Sequence, residues 1–330
     1  MSHPPDPSLG AAPAASVVIV TRNRLEYARA AIRSALEQVP AVEVVVLDDG
    51  STDGTPGMVR AEFPRARLHT SDRSSDIAVQ RSRATALATA PIVFSIDDDA
   101  AFTAPDTVAR ALRLFDHPRV GLVAMPFVNV RVSDRVLQQA PSPEGVWASG
   151  NFVGTAYAVR RDVFVALGGY RPSLVHQYEE EDFGIRLIEA GYIIRLATTP
   201  PIHHFHSPTR NRRGMDVWGA RNTILCTWYN VPMPYLPAHM AATSLNALVA
   251  GVRAGTTWRK LVGMASGYRD CVRWRGERTP VRPETYRIYR RLKRVGALPA
   301  AEVEATPWGR VPAAVAAHVG RVGALAAAGA

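Results

Sequence analysis

Two short runs of β-branched apolar residues, 16–20 (SVVIV) and 43–47 (EVVVL), are separated by a segment of helical spacing, and no other feature constrains the fold as strongly. Apolar side chains recur every three or four residues from 25 to 39, which predicts an amphipathic helix. A strand, a helix and a strand in this order form a right-handed crossover between parallel strands. Because ligands of such sheets bind beyond the carboxyl ends of the strands, functional side chains are expected directly after residues 20 and 47.

The alternation of strands and helices continues over most of the chain. Further strands are predicted near residues 67–70, 92–96, 121–130, 146–160 and 192–196, and further helices over residues 55–63, 77–89, 161–167 and 182–190. From residue 208 onward the pattern changes to basic, proline-punctuated helical segments without strand signals. The sequence therefore predicts a disordered leader (1–14), an α/β domain (15–230) and a basic helical C-terminal region (231–330).

The net charge of +10 is unevenly distributed. Residues 1–206 hold 20 Arg and Lys against 23 Asp and Glu, whereas residues 207–330 hold 19 against 6. The most basic run, 286–294 (YRIYRRLKR), has helical spacing and no nucleic-acid recognition motif beside it, so nucleic acid is not expected as a partner. A basic helical surface can face anionic lipid or a phosphate-bearing acceptor. A solvated basic face is the alternative.

The chain carries no signal that places it in an oxidising compartment or across a membrane. Cys226 and Cys271 cannot build a disulfide framework, and no zinc-ligand spacing surrounds them. The first 16 residues lack the basic and apolar regions of a secretory signal. The most apolar later stretch, 235–252, falls short of a membrane span. These features predict a cytoplasmic protein, with peripheral contact at the inner face of the membrane as an option.

Three consecutive aspartates, Asp97, Asp98 and Asp99, follow the predicted buried strand 92–96. Crowded carboxylates repel one another unless a cation, hydrogen bonds or solvent compensates their charge. In an extended segment Asp97 and Asp99 share one face while Asp98 points to the other, so the pair forms a D-x-D clamp. Such hard oxygen ligands select Mg²⁺ or Mn²⁺. A solvated acidic turn is the alternative interpretation of these residues.

The order of these motifs resembles the inverting family-2 glycosyltransferases with the GT-A fold. Thr-Arg-Asn follows the first strand, Asp-Asp-Gly-Ser-Thr-Asp-Gly-Thr follows the second, and Arg81 precedes the strand that ends in D-x-D. The resemblance covers about residues 15–230. Ser82 stands where that family usually carries Asn after the Arg, which leaves Arg81 as the functional residue of the pair.

The resemblance implies an α/β GT-A fold, a Rossmann-like, mixed but mostly parallel sheet flanked by helices. Residues 15–100 would form its nucleotide-binding half and residues 101–230 its acceptor half. The implied donor is a nucleotide-diphosphate sugar. The residues implied in binding it are Thr21, Arg22, Asn23, Asp48, Asp49, Arg81, Asp97 and Asp98. Among these, Asp48 or Asp49 would accept a hydrogen bond from a base N–H, while Thr21, Arg22 and Asn23 would meet the base or a phosphate.

The resemblance also implies metal ligands. The family often carries a His after the strand that corresponds to residues 192–196, and His203, His204 and His206 follow it here. The spacing favours His204, and His206 would lie on the same face of an extended segment. The implied ligand set is Asp99, Asp97, His204 and His206, and the implied cofactor is Mn²⁺ or Mg²⁺. An imidazole ligand would favour Mn²⁺.

A cluster of four acidic residues, 179–182, is the place where the resemblance implies the general base. Aligning the family pattern E-D-x-D-L-x-x-R-L on Arg186 places its catalytic Asp at Glu180 and its second Asp at Asp182. Glu180 is the preferred base, Asp182 is its rival, and Glu179 would bind acceptor hydroxyls. Clustering should raise one carboxyl pKa toward the working pH.

Two functions follow from these residues. The first is an inverting, metal-assisted hexosyl- or deoxyhexosyltransferase that acts on a glycan, a lipid-linked glycan or a small metabolite. The second is a non-catalytic nucleotide-sugar-binding or scaffold protein on a degenerate GT-A fold, which Ser82 and the Glu at position 180 motivate.

Overall fold

A computed structural model describes residues 13–206 and 212–304. Residues 1–12 of the predicted leader and residues 305–330 of the predicted C-terminal region lie outside this part of the chain. The described strands are β1 (Ala15–Thr21), β2 (Glu43–Asp48), β3 (Arg67–Thr70), β4 (Ile92–Asp97), β5 (Ala100–Ala101), β6 (Val120–Ala124), β7 (Phe127–Asn129), β8 (Val136–Leu137), β9 (Trp147–Ser149), β10 (Ala156–Arg160), β11 (Ile193–Leu196), β12 (Ile202–His204) and β13 (Leu298–Pro299).

Helices cover both faces of the sheet and form most of the C-terminal region. They are α1 (Leu25–Leu36), α2 (Thr55–Glu62), α3 (Ile77–Leu87), α4 (Thr107–Leu112), α5 (Arg161–Ala166), α6 (Glu179–Glu189), α7 (Arg212–Asn230), α8 (Leu236–Ala254), α9 (Thr257–Arg273), α10 (Pro283–Val295) and α11 (Ala300–Glu304). Among the described residues, no helix is long and apolar enough to cross a bilayer.

The main sheet has nine strands in the order β13-β9-β11-β6-β10-β4-β1-β2-β3. The N-terminal strands of this sheet, β3-β2-β1-β4, are all parallel to one another. The next strand, β10, pairs with β4 in the antiparallel direction. Thr21 pairs with Asp48, and Val20 pairs with Asp97, so the carboxyl ends of β1, β2 and β4 lie side by side. This register brings the predicted polar loops together at one edge.

Both faces of the parallel strands are buried, which explains why their sequences are almost continuously apolar. Val18 and Val45 pack on the side of α3, α5 and α6, whereas Val17 and Val44 pack on the side of α1, α2 and α4. The predicted mixed α/β sheet flanked by helices is confirmed. The predicted strands and helices up to residue 97 match the structure to within a few residues at their ends.

Two long predicted strands are wrong as single elements. The segment 121–130 divides at Pro126 into β6 and β7, and these belong to different sheets. Proline cannot donate a backbone hydrogen bond to a ladder, which accounts for the break. The segment 146–160 divides in the same way into β9 and β10, which pair with different neighbours. β7 joins the four-stranded second sheet, β5-β12-β7-β8, whereas β9 and β10 both belong to the nine-stranded sheet.

The C-terminal region packs directly on the sheet and on α6. Gly150, next to β9, faces α10 so closely that a Cβ there would lie 2.9 Å from Cβ of Leu292. Tyr289 of α10 donates a 2.5 Å hydrogen bond from its hydroxyl to Oε1 of Glu181 on α6. The expectation of a C-terminal region without strands is wrong at β13, which extends the main sheet by pairing with β9.

Candidate active site

The end of β1 is joined to the aspartate loop after β4. Thr21 Oγ1 donates a 2.9 Å hydrogen bond to Oδ2 of Asp98, and both side chains are buried. Nη1 of Arg24 lies 2.8 Å from Asp98 Oδ1 and 3.3 Å from Asp99 Oδ2. Burial raises the pKa of Asp98 to about 6, against the lowering effect of the Arg24 charge. Asp98 therefore ties the loop to β1.

The two aspartates after β2 have different surroundings. Asp49 accepts hydrogen bonds from Ser74 Oγ at 2.7 Å, from the Ser75 backbone at 2.9 Å and from the Gln80 amide. Asp48 accepts one from the Ser51 backbone through Oδ2, while its buried Oδ1 has no hydrogen-bond partner in the described part of the chain. Asp48 thus retains an acceptor atom, and Asp49 anchors the segment that leads into α3.

Arg22 and Asn23 lie on the loop between β1 and α1. Nη1 of Arg22 donates to Ser74 Oγ, which connects this loop to Asp49. Asn23 adopts a left-handed backbone with φ of 52°, and its Oδ1 accepts a 2.7 Å hydrogen bond from the Thr52 backbone. The structure therefore brings all five predicted residues of these two loops to one edge of the sheet.

Asp97, Asp99 and His204 form the cluster with the composition of a metal site. One ligand atom from each lies within 4.8 Å of the others. Nε2 of His204 lies 3.2 Å from Asp99 Oδ1 and 3.8 Å from Asp97 Oδ2. Nδ1 of His204 lies 2.6 Å from Oδ1 of Asn129, so a proton on Nδ1 satisfies this contact and leaves the Nε2 lone pair facing the carboxylates. The residues present fit a divalent cation.

The other two histidines of the segment lie apart from this cluster. The ring of His206 is 5.0 Å from that of His204, and its backbone φ is 50°, so the segment turns after β12. His206 is not part of the three-residue cluster. The side chain of His203 is exposed.

Arg81, on α3, connects the aspartate loop to the acidic helix α6. Its Nη2 donates to Asp97 Oδ1, and its Nη1 lies 3.6 Å from Glu180 Oε1 and 3.8 Å from Glu179 Oε1. Burial by itself would lower the pKa of Arg81, but the charges of Asp97 and Glu180 raise it above its ordinary value. The guanidinium is therefore charged and compensates three carboxyl groups.

Glu180 lies at the start of α6 with 18% of its side chain exposed. Its Oε1 accepts a 3.0 Å hydrogen bond from the backbone N–H of Gly154. Burial raises the pKa of Glu180, while the Arg81 charge opposes this effect. A partly exposed carboxyl with a raised pKa has the properties of a general base.

Glu179 and Asp182 are less accessible. Glu179 is 1% exposed, and its buried Oε2 has no hydrogen-bond partner among residues 13–206 and 213–303. Burial, followed by the charge of Glu180, raises the pKa of Glu179 to about 8. Asp182 is completely buried, and Arg171, Arg186 and Asn230 donate to its oxygens at 2.8–3.0 Å. These three donors explain why an acidic residue stands at position 182.

Sequence reasoning missed two residues that shape the site, Arg24 and Asn129, and it indicated Gly154 only as a small residue that could permit close approach by a sugar or pack against a neighbouring strand. Arg24 is part of the VVIVTRNR segment, but nothing local indicates its contact with the aspartates. Asn129 lies 75 residues from His204, so only the parallel pairing of β7 with β12 joins them. In the structure Gly154 packs directly beside the side chains of Glu180 and Arg81.

Residues 16–175 match the family model described as Glycosyl transferase family 2, and the match contains the loops after β1, β2 and β4. The matched segment, 160 of the 330 residues, is similar to this family. A curated relative, the uncharacterized protein y4gI of Sinorhizobium fredii, is 23% identical over 230 residues. That match covers 60% of this chain and 25% of the relative, so the chain spans about a quarter of the relative's length.

Solved glycosyltransferases share the fold of this chain. The mannosyltransferase PcManGT from Pyrobaculum calidifontis, solved with GDP-Man and Mn²⁺, is 24% identical with a TM-score of 0.52, over 81% of this chain and 84% of that one. S. aureus TarS 1–349, solved with UDP-GlcNAc, is 18% identical with a TM-score of 0.54, over 72% of each chain. The predicted GT-A fold is confirmed.

Proposed function

We propose that this protein moves a sugar from a nucleotide-diphosphate donor to an acceptor hydroxyl with inversion at the anomeric carbon. The observation that carries this proposal is the continuous contact from Asp99 and His204 through Asp97 and Arg81 to Glu180. It provides a candidate cation site and a candidate base at one edge of the sheet. The nucleotide sugars bound by the mannosyltransferase and by TarS support the choice of donor class.

The loops after β1 and β2 are proposed to bind the nucleotide. The partnerless buried Oδ1 of Asp48 can accept a hydrogen bond from a base N–H, as uracil, thymine and guanine offer. Arg22, which is exposed, can exchange its contact with Ser74 for a phosphate or ribose oxygen. Asp49, Asn23 and Thr21 hold these loops in place through their hydrogen bonds.

Asp97, Asp99 and His204 are proposed to hold Mn²⁺, because a site with two carboxylates and one imidazole suits Mn²⁺ better than Mg²⁺. His206, whose ring centre lies 5.0 Å from that of His204, is proposed as a further ligand. When bound, the cation would supply charge stabilisation for the departing diphosphate. Asn129 would keep the proton of His204 on Nδ1, and Arg81 would orient Asp97.

Glu180 is proposed as the general base. Its carboxylate would take the proton of the acceptor hydroxyl while that oxygen forms a bond to the anomeric carbon. The bond between this carbon and the diphosphate oxygen breaks on the opposite side, and the diphosphate leaves with the electron pair. Asp182 has all its contacts committed to Arg171, Arg186 and Asn230, which favours a positioning role for it. Glu179 is proposed to bind acceptor hydroxyls beside the base.

The sugar is proposed to be a hexose or deoxyhexose, and the acceptor a glycan, a lipid-linked glycan or a small metabolite. The alternative function is a nucleotide-sugar-binding scaffold that does not catalyse sugar transfer. One measurement distinguishes the two functions. The full chain is incubated with UDP-, GDP- and dTDP-sugars and Mn²⁺, and release of nucleoside diphosphate is followed with and without candidate acceptors.

A transferase releases diphosphate, slowly with water and faster with its acceptor. Glu180→Gln should retain donor affinity while reducing turnover by roughly 10²–10⁴-fold, the scale for loss of a general base. Donor binding without any turnover in the wild type would support the scaffold. Absence of nucleotide binding across the whole panel would refute both functions.

A further inference from the structure

The outer face of α8 and α9 is an apolar surface without a partner in the described part of the chain. The two helices pack side by side, because Ser244 Oγ lies 2.7 Å from the Tyr268 hydroxyl and Gly251 meets the backbone of Thr257. These two contacts, at opposite ends of the pair, show that the helices run antiparallel. Their outward side chains therefore form one surface.

The exposed side chains on this surface recur at helical spacing. Leu245, Val249 and Val252 lie on one side of α8, and Trp258, Leu261 and Val272 on one side of α9. Val252 is 69% exposed and Trp258 is 76% exposed, both close to the turn that joins the helices. Residues 240–252 contain no Asp, Glu, Lys or Arg. An exposed apolar surface of this extent marks an interaction site.

Basic side chains surround the apolar surface. Arg253 ends α8, and Arg269 and Arg273 are exposed on α9. Tyr235, which precedes α8, also lines a groove of about 620 Å³ along α10 that is otherwise bounded by Tyr286 and five Arg and Lys residues. Within that groove, Arg290 and Arg294 form no ion pair with any residue that the structure describes. The groove lies beside the N-terminal end of α8, and the exposed apolar residues of α8 lie in the C-terminal half of the same helix.

We propose that the α8–α9 surface and the α10 groove together dock the protein on the surface of an anionic phospholipid bilayer. Apolar side chains would enter the interfacial region, where Trp is favoured, while the arginines meet lipid phosphates. Charge complementarity selects this occupant over a second copy of the chain. A second copy would bring the two sets of arginines together, since residues 207–330 hold 19 basic against 6 acidic residues.

The proposal is independent of the proposed function, because vesicle binding needs neither donor nor turnover. The full chain is sedimented with vesicles of phosphatidylcholine alone and of phosphatidylcholine mixed with phosphatidylglycerol. Binding is expected only to the anionic vesicles, and it should weaken as salt is added.

Two pairs of variants test the two parts of the surface. Val252→Asp should abolish binding, whereas Val132→Asp, at a residue with the same 69% exposure far along the sequence, should not. Arg290→Gln combined with Arg294→Gln should weaken binding by about 10–30-fold, since each basic residue near an anionic surface contributes a factor of about five. Arg60→Gln combined with Arg65→Gln, two exposed arginines near β3, is the control.

Circular dichroism and the melting temperature establish that each variant is folded. The proposal is overturned if the wild type does not bind anionic vesicles at low salt, or if Val252→Asp binds them as tightly as Val132→Asp does. It is also overturned if the wild type is an oligomer that Val252→Asp converts to a monomer, because a second copy then covers the surface. Loss of vesicle binding in Val252→Asp and weakened binding in the double arginine variant, with the melting temperature retained in both, support it.

Discussion

The backbone N–H of Gly154 donates a 3.0 Å hydrogen bond to Oε1 of Glu180. This contact joins the turn before β10 to the first turn of α6, so the position of a candidate base depends on a backbone N–H at the entry to a strand. A Cβ at position 154 would lie 2.4 Å from Glu180 Oε1 and 2.4 Å from Arg81 Nη1. Only glycine permits all three groups to occupy their places.

Gly154→Ala should therefore displace Glu180 and Arg81 together. We expect turnover to fall roughly 10²-fold, the effect of misplacing a reacting group by about 1 Å, while the chain remains folded. Gly57→Ala is the matched control, because a Cβ there meets no atom within 4 Å. Steady-state kinetics of both variants make the comparison. Equal activity of the two would show that the Gly154 contact does not position the base.

Arg81→Lys should keep the positive charge but lose the reach to both acidic groups. A lysine ammonium is a single point of charge, whereas the guanidinium contacts Asp97 with one nitrogen and faces Glu180 with the other. We expect kcat/KM to fall by roughly 10–10²-fold with little change in the melting temperature. Arg83→Lys, at an exposed residue of the same helix, is the control. Wild-type kinetics in Arg81→Lys would remove Arg81 from the mechanism.

Asn129→Ala should weaken Mn²⁺ binding without removing a ligand. Asn129 fixes the orientation of His204 through the 2.6 Å contact with Nδ1, and loss of such a partner lowers metal affinity by about 10–100-fold. Isothermal titration with Mn²⁺ measures this effect, and His204→Ala and Asp99→Asn should be more severe. Unchanged Mn²⁺ affinity in all three variants would exclude the cluster as the cation site.

The pKa of Glu179, raised to about 8 by burial and by the charge of Glu180, predicts a pH dependence of stability. Between its ordinary pKa near 4.5 and pH 8, the unfolded chain has released this proton and the folded chain retains it. The free energy of unfolding should therefore fall as the pH rises through this range, by about 2–4 kcal/mol.

Glu179→Gln should remove most of that slope, because glutamine carries no titrating proton. Urea unfolding of the metal-free protein at a series of pH values measures it, with Glu37→Gln, at an exposed residue, as control. A slope that persists in Glu179→Gln would assign the pH dependence to other groups.

Asp182→Asn should lower the free energy of unfolding more than it lowers turnover. The variant leaves Arg171 and Arg186 without their buried counter-charge, a loss that costs about 3–5 kcal/mol. The folded fraction should keep donor affinity and most of its turnover. If turnover instead falls 10²–10⁴-fold at unchanged stability, Asp182 and not Glu180 is the base.

Local sequence patterns were sufficient for the parallel half of the fold and for the loops that carry the site. Residues of β1 and β2 are apolar on both faces because both faces are buried, and α1 shows its buried stripe directly. The patterns were insufficient where one apolar run serves two sheets, as β6 and β7 do across Pro126. Periodicity reports burial but does not identify which strand is the neighbour.

The sequence by itself determined that Asp97, Asp98 and Asp99 come at the end of a buried strand, because the apolar run of β4 and its end are local properties. It did not determine their faces, since residues 98 and 99 form a turn and Nη1 of Arg24 contacts both Asp98 and Asp99. Only the tertiary structure decided which of the acidic residues on α6 is reachable. Glu180 is partly exposed beside Arg81, whereas Asp182 is enclosed by two arginines and Asn230. The burial and the hydrogen-bond partners of each acidic side chain depend on contacts between distant segments. A run of consecutive acidic residues does not indicate which of them is buried.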